Sequence, residues 1–141
     1  MAATSAQSYS NHVHRPTLSG VAGLGALFAL GFAVRLLWRD VSTLNLALLS
    51  LAVAATALSL ISRNYIVRLQ DRIIRVEMQM RLERLGKAAA MPMLTMKQIT
   101  ALRFASDAEL PALIDRATAE TLTPDQIKRA VKEWQPDWLR T

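Results

Sequence analysis

The stretch that decides the fold is LNLALLSLAVAATALSLI (Leu44–Ile61), which continues without Gly or Pro into SRNYIVRLQDRIIRVEMQMRLERLG (Ser62–Gly86). The first part carries no charge, and about 18 helical residues at about 1.5 Å each approach the thickness of a bilayer core. The second part is charged and amphipathic. We therefore expect one long helix that spans a membrane and continues as a stalk until Gly86, a residue suited to ending a helix.

A second apolar run, LSGVAGLGALFALGFAVRLL (Leu18–Leu37), precedes this helix and has Arg35 as its only charged residue. The short connection WRDVST (Trp38–Thr43) requires the two helices to be antiparallel neighbours. The sequence thus predicts a transmembrane hairpin over 18–61, with spans at 18–38 and 44–61, after a polar N-terminal tail at 1–17.

Two other interpretations of the hairpin are less favoured. A signal peptide has an apolar core of about 7–15 residues behind a basic region, whereas this run is longer and only Arg15 precedes it as a basic residue. A buried hairpin in a soluble protein would need many more than 141 residues to cover two helices that are apolar all round.

The distribution of Lys and Arg predicts the topology. Residues 62–87 contain seven basic and three acidic side chains, whereas the connection between the spans offers Arg39, with Arg35 at the edge of the first span. The positive-inside rule places the stalk in the cytoplasm, and two spans then place both termini there. Neither span contains Asp, Glu, Lys or His, so transport chemistry is not expected.

Small residues recur on one face of each span, which favours close packing of the hairpin against itself. In the first span they are Gly25, Ala29 and Ala33, and in the second they are Ala52, Thr56 and Ser59.

The basic amphipathic stalk, residues 62–86, carries apolar residues at alternating steps of three and four, the spacing of a heptad repeat. We call these positions the stalk seam: Ile66, Leu69, Ile73, Val76 and Met80. Further apolar residues widen the stripe, which favours packing on the chain's own C-terminal helices over homo-oligomerisation or another partner. They are Val67, Ile74, Met78 and Leu82.

The stalk also carries arginines next to the predicted membrane surface. Arg68, Arg72 and Arg75 share a face, and with Arg63 they are candidate contacts for anionic lipid head groups of the cytoplasmic leaflet. Nucleic acid is a less favoured partner, because Tyr65 is the stalk's only aromatic residue and single strands need stacking platforms.

After Gly86 we expect a linker at 87–94, broken by Pro92, and then a cytoplasmic helical domain at 95–141 built from about three short helices. The expected core also uses the stalk as a fourth wall, because three short helices alone are marginally stable. The core candidates are Ile99, Leu102, Phe104, Leu110, Leu113, Ile114, Leu122, Ile127, Val131 and Trp134.

Ser or Thr followed three positions later by Glu or Gln marks each predicted helix start, the pattern of a capping box. The pairs are Thr95 with Gln98, Ser106 with Glu109, and Thr123 with Gln126. Pro124 occupies the first position of its helix, whereas Pro111 is late and is expected to distort the first turn. Gln135–Pro136 is expected to end the last helix.

These polar residues indicate helix capping, not catalysis. The chain has no Cys, and its two histidines, His12 and His14, lie far from the caps in sequence. Two histidines in a tail make a weak metal site. We expect no enzymatic activity, no cofactor, no metal site and no small-molecule substrate.

Four segments occur in an order similar to that of a known family: QSYSNH, RNYIVRLQDRIIRVEMQMRLERL, ITALRFASDAELPALIDRA and IKRAVKEWQPDWLR. The chain resembles a bacterial family of small two-span membrane proteins classed as a domain of unknown function. The resemblance covers nearly the whole chain, and LRFASDAELP and KEWQPDW are its most specific parts. It implies location in the bacterial inner (cytoplasmic) membrane and implies no activity, cofactor or catalytic residue.

Two functional hypotheses follow. The leading one is a membrane-anchored interaction or accessory protein whose helical domain contacts another membrane protein, since aromatic and Arg side chains dominate interface hot spots. Its candidate contacts are Arg103, Phe104, Trp134, Asp137, Trp138 and Arg140, with core packing as the competing role of Trp134. The second is a membrane-organising homo-oligomer that uses the stalk seam and contacts anionic lipid.

Overall fold

The computed structural model describes residues 8–10 and 17–136, and this part of the chain is all helical, without strands. The chain divides into two compact units, a hairpin unit at Arg15–Arg68 and a C-terminal unit formed by Met1–His14 and Leu69–Thr141. The elements are α1 at Thr17–Arg39, α2 at Thr43–Arg84, a 3-10 helix at Ala88–Met93, α3 at Met96–Leu102, α4 at Leu110–Ala119 and α5 at Pro124–Ala130. The predicted fold class is confirmed.

In the hairpin unit, a short connection joins α1 to α2. The Nδ2 of Asn45 donates to the carbonyl of Asp40 at 2.8 Å, and the Oγ of Ser42 accepts from the backbone N–H of Asn45 at 3.3 Å. Further along, the hydroxyl of Thr56 lies 3.3 Å from the carbonyl of Ala26. Because a side-chain hydroxyl of one helix reaches the backbone of the other, the two helices pack directly against each other.

The packing face of α1 differs in part from the predicted one. Ala33 is buried as expected, but Gly25 and Ala29 are exposed, and a Cβ added at Gly25 would meet nothing within 4 Å. Residues spaced four apart rotate around a helix by about 40° per step, so Gly25, Ala29 and Ala33 do not all face α2. Residues spaced alternately three and four apart stay on one side of the helix. Those that are buried or half-buried in this way are Gly23, Ala26, Leu30, Ala33 and Leu37. In α2, the predicted Ala52, Thr56 and Ser59 are buried or half-buried.

Both helices are long and apolar enough to cross a membrane, and only 6% of the most apolar window of each is buried. A core helix of a soluble protein would be mostly buried. Phe28 and Trp38 are among many large apolar side chains that face outward. Water is an unfavourable environment for such a surface, whereas a lipid interior suits it.

The end of α2 is set by Gly86, as predicted. Gly86 has a φ of 68°, a left-handed conformation that glycine adopts without a Cβ clash. The N–H of Lys87 donates to the carbonyl of Leu82 at 2.8 Å, and that of Gly86 donates to the carbonyl of Glu83 at 3.2 Å. These two bonds form a Schellman motif, which satisfies carbonyls at the helix end.

The C-terminal unit has one apolar core that α2 helps to build. Ile74, Met78 and Leu82 are the α2 residues in this core, which confirms that the stalk packs on the short helices. All the predicted core residues are buried except Trp134, which is partly buried. Residues 87–94, expected to be a linker, form the 3-10 helix and contribute Met91 and Leu94 to the core.

The capping boxes at Thr95 and Thr123 are both formed as predicted. Ser106 and Glu109 also bond reciprocally, at 3.2 and 3.4 Å, but α4 begins later, at Leu110. Pro111 therefore falls within the first turn, where a backbone N–H has no helical partner. The expectation that Pro111 distorts the helix is wrong.

The last helix ends at Ala130, earlier than the predicted end at Gln135–Pro136. The carboxylate of Glu109 accepts the backbone N–H groups of Lys132 and Glu133 at 3.1 and 3.2 Å. The N–H of Gln135 donates to the carbonyl of Phe104 at 2.7 Å. These contacts replace helical hydrogen bonds, so the segment 131–136 is non-helical and bends at Lys132 and Glu133.

Candidate interaction surface

The non-helical segment 131–136 brings Trp134 onto Phe104, next to Arg103. The ring centroids of Phe104 and Trp134 are 4.9 Å apart with the planes tilted by 35°, and the guanidinium carbon of Arg103 lies 4.8 Å from the centre of the Phe104 ring. Phe104 is only 2% exposed, whereas Arg103 and Trp134 are half-buried. The structure therefore joins three of the predicted partner contacts into one cluster, which we call the Arg103–Trp134 cluster.

Within this cluster the three residues have different roles. Phe104 supports the surface from beneath, because its ring is inaccessible to a partner. Arg103 and Trp134 keep part of their side chains at the surface, where a planar guanidinium and an indole can stack on or hydrogen-bond to another protein. Of the three residues, Arg103 and Trp134 are thus the ones whose side chains are accessible at the surface.

A pocket of about 200 Å³ adjoins the cluster. Its wall combines guanidinium groups, a carboxylate and apolar surface, which is a mixed lining without a clear preference for one small ligand. The lining residues are Glu77, Met78, Arg81, Arg103, Phe104, Gln135 and Pro136.

Arg81 is a structural residue that the sequence analysis missed. Its guanidinium pairs with Asp107, donates to the carbonyl of Arg103 at 3.1 Å and also donates to the carbonyl of Ala105. It thereby ties the end of α2 to the turn before α4, the same turn that carries Phe104. A signal for this role was available, since Arg81 lies seven residues after Ile74 and three after Met78, on the side of α2 that is buried.

Tyr9 also has an unforeseen role. Its hydroxyl donates to Oδ1 of Asp125 at 2.6 Å, and the guanidinium carbon of Arg129 lies 5.1 Å from the centre of its ring. The hydrogen bond from Tyr9 lowers the pKa of Asp125, with the charge of Arg129 acting in the same direction. The same contacts raise the pKa of Arg129. Part of the N-terminal tail is thus attached to α5.

The four candidate lipid contacts, Arg63, Arg68, Arg72 and Arg75, are all exposed. At about 100° per residue, the last three lie within a sector of about 60°, whereas Arg63 lies on another side of the helix. The structure therefore supports one shared basic face of three arginines.

The stalk seam is exposed along its whole length, with exposures between 44% for Ile66 and 60% for Met80. The α2 residues that enter the core of the C-terminal unit form a different stripe, Ile74, Met78 and Leu82. Helical geometry places the part of the seam from Leu69 onward about 170° from this buried stripe. The expectation of packing on the C-terminal helices is confirmed for the buried stripe, whereas residues 8–10 and 17–136 leave the seam uncovered.

Several candidate residues lie outside the described part of the chain. They are the partner contacts Asp137, Trp138 and Arg140 and the two histidines, His12 and His14. Among the residues that are described, no group of three or more His, Cys, Asp or Glu side chains could hold a metal ion.

Comparison with known proteins gives a family and nothing further. No curated protein and no solved structure matches the chain. One family model matches residues 1–141, the full length of the sequence, in keeping with the resemblance inferred from its motifs. The chain therefore belongs to the family described as "Family of unknown function (DUF6526)".

Proposed function

We propose that this protein is a membrane-anchored interaction protein, accessory to another membrane protein, that presents its C-terminal unit at the cytoplasmic face of a bacterial inner membrane. The observation that carries the proposal is the Arg103–Trp134 cluster. An indole and a guanidinium are held at the surface there by a buried aromatic ring, the kind of arrangement that dominates binding energy in protein interfaces. The proposal involves no catalytic step and no cofactor.

Three features support the anchoring and the topology. The outward-facing apolar residues of α1 and of the first half of α2 suit a lipid environment. The seven basic residues of 62–87 favour the cytoplasmic side. The bond between Tyr9 and Asp125 also supports a topology in which residues before the first span and residues after the second share one side of the membrane. Two spans with both termini in the cytoplasm have this topology.

The test is affinity purification of the tagged full-length protein from native membranes in mild detergent, with mass spectrometry of the proteins that co-purify. We expect one membrane protein at stoichiometric yield, and a loss of at least about tenfold with Trp134→Ala. Met93→Ala, which shortens an exposed apolar side chain elsewhere on the same unit, is the matched control and should retain the partner. Undiminished recovery of every partner with Trp134→Ala would contradict the assignment of this cluster.

Because Trp134 also contacts Phe104, the folded state of the variant must be checked. Amide hydrogen exchange of α3–α5 gives this check in the same preparation. Arg103→Gln offers a second probe, since it removes the guanidinium and leaves both aromatic rings in place. Loss of the partner with both variants, with exchange protection unchanged, would support a direct contact.

A second candidate function is a membrane-organising homo-oligomer that contacts anionic lipid, favoured by the exposed face of Arg68, Arg72 and Arg75. We expect the oligomer to form more readily in nanodiscs that contain an anionic lipid than in purely zwitterionic ones, because each basic residue near a charged membrane contributes about 1 kcal/mol. Replacing Arg68 and Arg75 by Gln should remove most of this lipid dependence. A strict monomer in both lipid compositions would contradict this candidate.

A further inference from the structure

The stalk part of α2 has two apolar sides, and only one of them is covered within the described chain. Ile74, Met78 and Leu82 are buried in the core of the C-terminal unit. On the nearly opposite side, every residue of the stalk seam is at least 44% exposed. The exposed seam does not stabilise the domain on which the other side of the helix already packs. An exposed apolar patch of this kind indicates an intermolecular contact.

We infer that the stalk seam pairs with the stalk seam of a second copy of this chain, as a parallel two-stranded coiled coil. This inference deepens the homo-oligomer candidate above, and it rests on the proposed membrane insertion because two chains inserted with the same topology present their stalks in parallel. The described part of the C-terminal unit packs on the opposite side of the stalk and does not cover the seam.

Three of the five seam residues, Ile66, Leu69 and Ile73, are of the types favoured in a parallel pair, whereas Val76 and Met80 are apolar but are not the favoured types at their positions. Ile66, Ile73 and Met80 occupy one set of heptad positions, and Leu69 and Val76 occupy the other. In two-stranded parallel coiled coils, Ile is favoured at the first core position and Leu at the second. The stretch is short for an autonomous coiled coil. Confinement of both chains to one bilayer raises their effective concentration and reduces the contact area that pairing requires.

Charge complementarity identifies the occupant as a second copy. Arg72 directly precedes the seam residue Ile73, and Glu77 directly follows the seam residue Val76. In a parallel pair these flanking positions meet across the interface, so Arg72 faces Glu77 of the partner subunit, and the symmetry of the dimer forms this pair twice. Both side chains are exposed, although Glu77 also lies on the wall of the pocket beside the Arg103–Trp134 cluster. Neither side chain forms an ion pair within residues 8–10 and 17–136.

The other pairs of flanking positions are compatible with this arrangement. Tyr65 would face Gln70 of the partner subunit, and Gln79 would face Arg84 of the partner subunit, so no like charges meet. A bilayer surface fits the seam less well, because it would bring the carboxylate of Glu77 towards anionic head groups. The self-complementary pattern of one acid and one base therefore favours a second copy over lipid.

Cysteine cross-linking in intact membranes tests the pairing directly, because the chain has no native Cys. Ile73→Cys and Val76→Cys place a thiol at the seam, and Arg75→Cys places one on the basic face as the matched control. All three positions are exposed, so the substitutions leave the core of the C-terminal unit intact. We expect disulfide-linked dimers from both seam variants at about fivefold or more the yield of the control. Equal yields from all three, or none from the seam variants, would overturn the inference.

A charge exchange tests the partner. On the Val76→Cys background, Arg72→Glu alone and Glu77→Arg alone each place like charges across the dimer twice, and we expect each to reduce cross-linking about fivefold. Co-expression of the two variants restores opposite charges at both pairs of a mixed dimer, so mixed dimers should exceed either homodimer. Cross-linking that is indifferent to these changes, or mixed dimers no more abundant than expected from random pairing, would overturn the Arg72–Glu77 pairing.

Two further readouts separate this inference from the proposed function. Trp134→Ala on the Val76→Cys background should leave cross-linking unchanged, because the Arg103–Trp134 cluster is not part of the seam. Alkaline carbonate extraction of the same samples reports membrane insertion independently of cross-linking. Failure of the partner contact, of the anchoring or of the dimer thus appears in a different measurement.

Discussion

The two halves of α2 use apolar residues in opposite ways. In the first half, Leu51, Leu58 and Leu60 face outward and are well exposed. In the second half, Met78 and Leu82 are buried by the C-terminal unit. One continuous helix thus passes from a stretch whose apolar side chains suit lipid to a stretch whose apolar side chains pack inside the protein.

The difference shows that hydrophobicity alone does not determine burial within a protein. An apolar side chain that faces lipid needs no protein partner, whereas in water burial of the same side chain contributes about 1.5–3 kcal/mol. The stalk contains both situations at once, since Leu82 is covered and Leu69 is 58% exposed. The predictions below separate side chains that stabilise the C-terminal unit from those available for other contacts.

The largest effect is expected from comparing these two leucines of α2. Leu82→Ala removes a fully buried side chain and should destabilise the C-terminal unit by about 2–5 kcal/mol. Leu69→Ala should change its stability by less than about 0.5 kcal/mol while weakening seam cross-linking. Amide hydrogen exchange of α3–α5 in the full-length protein measures the stability of both variants. Equal losses of protection would show that the two sides of the stalk are equally buried.

The second prediction concerns the polar attachment of the stalk. Arg81→Met should destabilise the C-terminal unit by about 1.5–3 kcal/mol, because the carbonyls of Arg103 and Ala105 lose a charged donor. Arg84→Met removes an exposed guanidinium three residues further along α2 and is the matched control. Thermal unfolding of the detergent-solubilised protein compares the two. Equal unfolding temperatures for both variants would contradict the proposed role of Arg81.

Two glycines allow a smaller comparison between the units. Gly86→Ala should cost about 1–2 kcal/mol, because its φ of 68° crowds a Cβ against the backbone. Gly25→Ala in α1 adds a methyl group with nothing within 4 Å and should be tolerated. Unfolding in detergent would reveal the difference. A destabilising Gly25→Ala would mean that another surface contacts this face of α1.

The smallest effect is the pH dependence of the contact between the N-terminal tail and α5. The pKa of Asp125 is held below its ordinary value of 3.8, so the stabilisation is complete above that value and is lost as the pH falls through the lower folded-state pKa. Tyr9→Phe removes the main cause, and the pKa of Asp125 should rise towards its ordinary value. Carboxyl-carbon NMR titration measures this shift, with Tyr65→Phe as the matched control. An unchanged pKa in Tyr9→Phe would show that the hydrogen bond is not formed in solution.

Local features of the fold were predictable because their causes lie within a few residues. The capping boxes at Thr95 and Thr123 depend on partners three positions away, and the end of α2 depends on the conformational freedom of Gly86. The later start of α4 and the early end of α5 were not predictable in this way. Both depend on Glu109, whose carboxylate bonds to Ser106 nearby and also to Lys132 and Glu133 more than 20 residues away.

The candidate site shows the same division. Arg103 and Trp134 were predicted as contacts from residue type alone, but their assembly around Phe104 depends on the non-helical segment after Ala130. The N-terminal contact was also unpredictable, because Tyr9 and Asp125 are 116 positions apart and no local pattern relates them.

The sequence by itself determined that two long apolar helices precede a small helical unit, because periodicity, length and caps are local properties of the chain. Only the tertiary structure decided which apolar stripe of the stalk is covered. The seam and the stripe of Ile74, Met78 and Leu82 have similar hydrophobicity and similar helical spacing, so either could pack. Tertiary contacts determine which stripe is buried. Arg81 is attached to the turn before α4 and Leu82 is buried, so this side of the helix faces inward and the other side stays exposed.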